Sequence, residues 1–131
     1  MPFMLQQILS TQDVDINNGV HYVYIDNDKR QAASQGAVYL SNHDRGIGIR
    51  IKKAPGEKIG SYWTDEEFQL NREKVKEDIG KIEKLLQDNR VVIMVKSDLD
   101  ECIEDRFLEI CPRSYKYFRS SLANCLRIYK P

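Results

Sequence analysis

This sequence of 131 residues lacks the patterns that mark disulfide, metal and nucleophile sites. Its three cysteines, Cys102, Cys111 and Cys125, are odd in number and form no CxxC pair, so neither a disulfide framework nor a zinc site is expected. Its two histidines, His21 and His43, have no motif neighbour, and no serine or cysteine lies in a nucleophile elbow. We therefore expect buried free thiols, with no metal, no cofactor and no catalytic residue.

The sequence also has no excess of charge of one sign, because 20 basic and 20 acidic side chains cancel. Binding to nucleic acid depends mainly on excess Lys and Arg, so nucleic acid is not an expected partner. No segment approaches the roughly 18 apolar residues of a membrane span. The start, MPFMLQQILS, lacks the basic region and long apolar run of a signal peptide. We expect a cytoplasmic protein, in the host cytoplasm if it is viral.

What the sequence does contain is typical of one globular domain, with 41% hydrophobic and 31% charged residues. We expect a single domain over residues 1–131, in which 1–19 form a loosely ordered N-terminal segment. The chain has no internal repeat and no low-complexity linker. Its oligomeric state stays open, homo-oligomers included.

Hydrophobic periodicity predicts alternating strands and helices. Period-two alternation or continuous apolar runs predict strands, and apolar residues at steps of three and four predict helices. The predicted strands cover 21–25, 46–52 and 91–95, and the predicted helices cover 29–40, 64–89, 97–111 and 112–129. This order predicts an α/β domain with a small mixed sheet of about four or five strands flanked by helices.

Two of these elements carry the clearest local signals. Thr64 and Glu67 have capping-box spacing at the start of the long predicted helix. The run 91–95, VVIMV, is apolar on both faces, as expected of a central strand covered by helices on both sides.

Short pieces of the chain resemble a family of small α/β proteins from phage and bacterial genomes. The similar pieces are Asp26-Asn27 after the first strand, Gln35, Gly48-Ile49, the run 52–55, Tyr62-Trp63-Thr64-Asp65, Val91-Val92-Ile93 and Cys111-Pro112. The loops of that family are similar to those of macrodomains, which hold ADP-ribose through backbone N–H groups, and this comparison is a fold-level analogy. The resemblance implies a phage-encoded protein that acts against a host defence system.

The chain departs from the family pattern in its loops. Ala33-Ser34 stand where the family has two glycines, and Arg50-Ile51 replace Pro-Thr. The family's glycine-rich stretch after the buried strand is KSDLDECIED here, without any glycine. Because acidic side chains repel phosphate and block close backbone approach, a nucleotide site of the family's kind is lost or moved.

The strongest candidate for an anion site is the strand GIGIRIK, 46–52. Its alternation places Gly46, Gly48, Arg50 and Lys52 on one face, which combines bare backbone with two cations. The turn Asp26-Asn27 joins this candidate ligand site, since α/β proteins bind ligands at the carboxyl ends of their strands. The alternative interpretation is a half-exposed strand with solvated basic residues, whose glycines allow close packing, beside an ordinary turn.

The acidic segment 98–105 offers a second candidate, with Asp98, Asp100 and Glu101 as protein-contact residues. Calcium-loop spacing is absent, and acidic residues also favour the first turn of a helix.

Three functions follow as expectations. The first is a non-catalytic binding protein that captures a nucleotide-like small molecule, and the second is an inhibitor or adaptor that docks on a host protein. The third is a hydrolase of an ADP-ribose-type ligand.

Overall fold

A computed structural model of the chain describes residues 3–6, 19–31, 35–56, 58–95 and 105–129. Its elements are β1 (Phe3–Gln6), β2 (Val20–Asn27), α1 (Gln35–Ser41), β3 (Gly46–Lys52), α2 (Phe68–Gln87), β4 (Val91–Val95), α3 (Asp105–Ile110) and α4 (Pro112–Ile128). Two 3-10 turns, Ile59–Ser61 and Asp65–Glu67, precede α2. The α/β class predicted from the sequence is therefore confirmed.

The described strands form one four-stranded sheet in the order β1-β4-β2-β3. All three pairings among the described strands are parallel, so for this part of the chain the expectation of a mixed sheet is wrong. Each crossover between β2, β3 and β4 passes through a helix, which returns the chain to the same end of the sheet and makes the strands parallel. All four strands therefore end at one edge of the sheet.

Residues 3–6 lie at the beginning of the segment that was expected to be loosely ordered. They form β1, and Phe3 pairs with Val92 of β4 and is buried. Pairing with a central strand gives these four residues a strand conformation, although they have little pattern of their own.

The two faces of the sheet have different coverings. On one face, Val23, Ile49, Val92 and Met94 pack with the apolar stripes of α2 and α4 in the main core. On the other face, a smaller cluster joins the sheet to α1 through Tyr22, Tyr24, Ala37, Leu40 and Ile93. Because β4 is buried on both faces, its unbroken apolar sequence is explained.

The start of α2 differs from the predicted capping box. Thr64 makes no side-chain capping hydrogen bond, and Asp65–Glu67 form a 3-10 turn before the α-helix begins at Phe68. Asp65 instead accepts hydrogen bonds from the backbone N–H groups of Arg113 and Ser114, at 2.9 and 3.0 Å, in the first turn of α4. A carboxylate at a helix N-terminus satisfies donors that have no partner within the helix. Asp65 therefore joins the starts of two helices.

Candidate functional site

The candidate site begins at the turn that follows β2, and the side chain of Asn27 builds this turn. The Asn27 Oδ1 accepts from the backbone N–H of Lys29 at 3.1 Å, and its Nδ2 donates to the carbonyl of Gln31 at 2.7 Å. Asn27 is buried, so these bonds replace water at its amide. The role of Asn27 seen here is to shape the turn.

The same turn holds Arg30 in an unusual backbone conformation, with φ of 53°. Residues other than glycine seldom adopt a positive φ, and such strain is concentrated at functional sites. The Arg30 N–H donates to the carbonyl of Asn27 at 2.9 Å, which closes the turn.

Two buried carboxylates hold the guanidinium group of Arg30. Its Nη1 donates to Asp26 at 3.0 Å, and its Nη2 donates to Asp78 of α2 at 3.2 Å. The side chains of Asp26 and Asp78 are 2% and 0% exposed, whereas that of Arg30 is 41% exposed. Burial alone would lower the pKa of Arg30, but its bonds to Asp26 and Asp78 outweigh burial and raise that pKa. The guanidinium is thus charged, fixed in place and partly open to solvent.

Arg30 and Asp78 together close the outer edge of β3. Arg30 Nη1 donates to the carbonyl of Gly48 at 3.3 Å, and the Arg50 N–H donates to Asp78 at 2.8 Å. A neighbouring strand would donate a hydrogen bond to the Gly48 carbonyl and accept one from the Arg50 N–H. Here Arg30 is the donor and Asp78 is the acceptor. Since an unpaired edge is a template for aggregation, the pair protects the sheet.

Arg50 differs from Arg30 in how its donors are used. Its Nε and Nη2 both donate to Asp78, at 3.0 and 3.2 Å, and Glu77 lies 3.4 Å from the same Nη2. The Nε–Nη2 edge of a guanidinium is a fork that fits a carboxylate or phosphate group, and in Arg50 Asp78 occupies this fork. In Arg30, by contrast, the Nε–H has no partner among the described residues, and Nη2 makes one of its two possible hydrogen bonds.

The glycines of β3 allow close packing. A Cβ on Gly46 would lie 2.0 Å from the carbonyl oxygen of Leu40, and one on Gly48 would lie 2.7 Å from Asp26 and 2.9 Å from the Tyr24 hydroxyl. The backbone at Gly48 is therefore next to an aromatic ring and a carboxylate. Burial, and then the charge of Asp26, raise the pKa of Tyr24, so its hydroxyl keeps its proton at neutral pH.

Two lysines and two aromatic rings lie near the carboxyl end of the sheet. Lys52 donates to the Gly56 carbonyl and lies 4.4 Å from the centre of the Tyr62 ring. Asp28 accepts from the Trp63 indole at 3.1 Å and from Lys74 at 2.8 Å. Both rings are buried, so the cations cover aromatic surface that does not face solvent.

One protein-family model matches the chain over nearly its whole length. The family model of DUF7831, a family of unknown function, covers residues 4–120. The chain belongs to DUF7831. No curated protein and no solved structure matches it.

In this DUF7831 member, the predicted ligand residues come together only in part. Asp26 lies opposite Arg50 in the sheet register, and Gly48 is beside Asp26. Gly46 lies at the opposite end of β3, beneath the carbonyl of Leu40, and Lys52 lies at the carboxyl end, close to Tyr62. The acidic protein-contact candidates, Asp98, Asp100 and Glu101, lie outside the described residues.

Sequence reasoning missed Arg30 and Asp78. A signal for Asp78 exists, since it follows Val75 by three residues and precedes Ile82 by four, which places an acid within the apolar stripe of α2. An acid at such a position needs a buried cationic partner.

Three further findings concern the described part of this DUF7831 chain. Cys111 and Cys125 are free and buried, as the sequence predicted, and Cys102 lies outside the described residues. No group of three or more His, Cys, Asp or Glu side chains is arranged to hold a metal ion within the described ranges. None of the described helices is long and apolar enough to cross a membrane.

Proposed function

We propose that this protein is a non-catalytic binding protein that captures a nucleotide-like anion at the carboxyl end of its sheet, with Arg30 as the ligand's anchor. The observation that carries the proposal is that the Nε–Nη2 edge of Arg30 is only partly used, because Asp78 bonds Nη2 alone. Its guanidinium is positioned by two buried carboxylates, and its Nε–H has no partner among the described residues.

Pre-organisation supports a binding role for this group. A long, flexible arginine side chain normally loses rotamer freedom when it captures a ligand, and that loss weakens binding. In Arg30 the bonds to Asp26 and Asp78 have already restricted the side chain. The remaining donors can therefore bind a planar oxyanion or a phosphate with little further ordering.

The position of Arg30 supports the same role. Ligands of α/β proteins bind outside the carboxyl ends of parallel strands, and Arg30 follows β2 at that end. Lys74, which precedes Asp78 by one helical turn on α2, adds a second cation near this edge.

The proposal gives new roles to the residues predicted from the sequence. Asp26 and Arg50 help to position Arg30 and Asp78, Asn27 shapes the turn, and Gly48 makes room for Tyr24 and Asp26. Lys52 is a candidate for a more distant ligand contact. Only Arg30 is assigned the direct contact with the anion.

The nature of the ligand and its biological setting extend the resemblance described above. The analogy with macrodomains suggests ADP-ribose or a related nucleotide as the ligand. The resemblance to phage proteins suggests a phage-encoded protein that withholds such a nucleotide from a host defence system.

A thermal-shift screen with ADP-ribose, cyclic nucleotides and dinucleotides tests this function. Because a ligand that binds only the folded state stabilises it, one of these compounds should raise the melting temperature. Arg30→Lys keeps a cation for Asp26 and Asp78 but removes the fork, so it should weaken binding tenfold or more. Arg127→Lys on α4 is the matched control, because Arg127 bonds only Asn124 among the described residues and its replacement should leave affinity unchanged.

Four outcomes would contradict the proposal. If none of these compounds shifts the melting temperature, or if Arg30→Lys binds as well as the parent protein, Arg30 is not the anchor. Turnover of an ADP-ribose compound that is abolished by Asp26→Ala would identify a hydrolase. Co-purification of a host protein that is lost when Asp98, Asp100 and Glu101 become lysine would favour protein docking instead.

A further inference from the structure

A groove lies between α2 and α4, within the helical layer that covers the main core. Its volume is about 250 Å³. The two helices run in the same direction. Near their starts, Asn71 donates to the Ser114 hydroxyl at 3.0 Å, and near their ends Glu83 is close to Cys125, whose pKa is raised by burial and then by the charge of Glu83.

The groove is lined by two matching sets of residues. Besides Ile79 of α2, each helix contributes three positions at steps of four and then three, which lie along one face of a helix. The α2 set is Lys76, Gly80 and Glu83, and the α4 set is Tyr117, Ser121 and Asn124. Since the helices run in the same direction, equal spacing places the two sets opposite each other.

Gly80 opens the middle of the groove. Glycine inside a helix is less favourable than alanine by about 1 kcal/mol, so its presence calls for a reason. Close packing is not that reason, because a Cβ at Gly80 would meet no atom within 4 Å. The missing side chain leaves space that a ligand can occupy.

The two ends of the groove carry opposite charges. Lys76 and Glu83 have no ion-pair or hydrogen-bond partner among the residues that the structure describes, whereas Lys74 and Lys81 on the same helix lie within 4.0 Å of acidic side chains. Seven helical residues separate Lys76 from Glu83 by about 10.5 Å along the helix axis. On the facing wall, Tyr117 and Ser121 supply neutral hydrogen-bonding groups, whereas the Oδ1 of Asn124 already accepts from Arg127 at 2.7 Å.

We propose that this groove binds a short zwitterionic peptide of about three residues. An extended chain spans about 3.3 to 3.6 Å per residue, so the termini of a tripeptide match the spacing of the two charges. The peptide carboxylate lies at Lys76 and the Tyr117 hydroxyl, and its ammonium group lies at Glu83. Its middle residue passes over Gly80, beside Ser121.

An NMR titration of the full chain with trialanine tests this site. We expect saturable shift changes confined to residues 76–83 and 117–124, with a dissociation constant on the order of millimolar or tighter. N-acetyl-trialanine amide has the same length without terminal charges, and it should bind at least tenfold more weakly. No saturable change, or equal binding of the two peptides, would overturn the proposal.

Three variants separate this site from nonspecific contact. A Cβ at Gly80 would meet no atom within 4 Å, and the larger side chain of Gly80→Leu would extend into the groove, so this variant should keep the fold and weaken trialanine binding at least tenfold. Lys76→Glu should do the same, while the double exchange Lys76→Glu with Glu83→Lys should restore binding with the peptide reversed. Unchanged affinity in Gly80→Leu, or a double exchange as weak as the single one, would contradict the inference. None of these readouts involves Arg30, so they test the peptide site independently of the nucleotide proposal.

Discussion

Removing the carboxylate of Asp78 should destabilise the fold more than removing any exposed acid on α2. Asp78 is fully buried and accepts from the Arg50 N–H, the Arg50 guanidinium and the Arg30 guanidinium. Asp78→Ala leaves Arg50, whose side chain is only 14% exposed, without its main partner. It also uncovers the backbone edge of β3.

The magnitude follows from the cost of leaving a buried charge unpaired. Breaking a buried ion pair by removing one partner costs about 3 to 5 kcal/mol, and the partner's partial exposure places Asp78→Ala near the lower value. Domains of this kind have a total free energy of unfolding of about 5 to 15 kcal/mol, so the variant should lose a large part of it.

Urea unfolding followed by circular dichroism measures this loss, with Glu77→Ala as the matched control. Glu77 is the preceding residue and also pairs with Arg50, at 3.4 Å, but its side chain is 61% exposed. An exposed pair contributes about 0 to 1 kcal/mol, so Glu77→Ala should unfold close to the parent protein. If the two variants lose similar free energies, the role assigned to Asp78 is refuted.

Two further predictions concern packing and thiol burial. Gly46→Ala should lower the free energy of unfolding by about 1 to 3 kcal/mol, because its Cβ would overlap the Leu40 carbonyl. Gly80→Ala should raise the free energy of unfolding by about 0.5 to 1 kcal/mol, because its Cβ meets no atom. Equal urea midpoints for the two variants would contradict the packing account. Burial, with smaller contributions from nearby acids, raises the pKa of Cys111 and Cys125 to about 11. The folded state therefore keeps the thiol protons that the unfolded state loses above a pKa of about 8.5, so stability should fall as pH rises from there towards 11. The double Cys→Ala variant should show a smaller fall over this window in pH-dependent unfolding, and an equal fall in both proteins would contradict the assignment.

The elements with strong local periodicity were predictable from the sequence. The alternation in 46–52 corresponds to β3 at both ends, with Ile47, Ile49 and Ile51 buried. The apolar run 91–95 likewise corresponds to β4, and its place inside the sheet follows from its lack of a polar face. Local pattern was sufficient here because burial alone specifies these segments.

Features that depend on distant partners were not predictable in this way. β1 is four residues long, and its strand conformation depends on pairing with β4, nearly ninety positions later. The capping-box pattern at Thr64 satisfied a local rule, but Asp65 is used by α4 instead. A local motif cannot show which distant group will compete for the same side chain.

The candidate site illustrates the same limit. Sequence alternation correctly placed Arg50 on the polar face of β3, but its fork is occupied by Asp78, which is 28 positions away. Arg30 fell within the predicted helix 29–40, but the observed helix begins at Gln35, and neither the positive φ of Arg30 nor its bonds to Asp26 and Asp78 leave a local pattern. The acid within the apolar stripe of α2 was the available clue.

The NMR signal of the Arg30 Nε–H tests the central claim most directly. During titration with ADP-ribose, we predict a saturable shift of this signal, because the anion occupies the partly used Nε–Nη2 edge of Arg30. The Nε–H signal of Arg50, which donates to Asp78, should change much less. Saturable binding of ADP-ribose with the Arg30 signal unchanged would contradict the account.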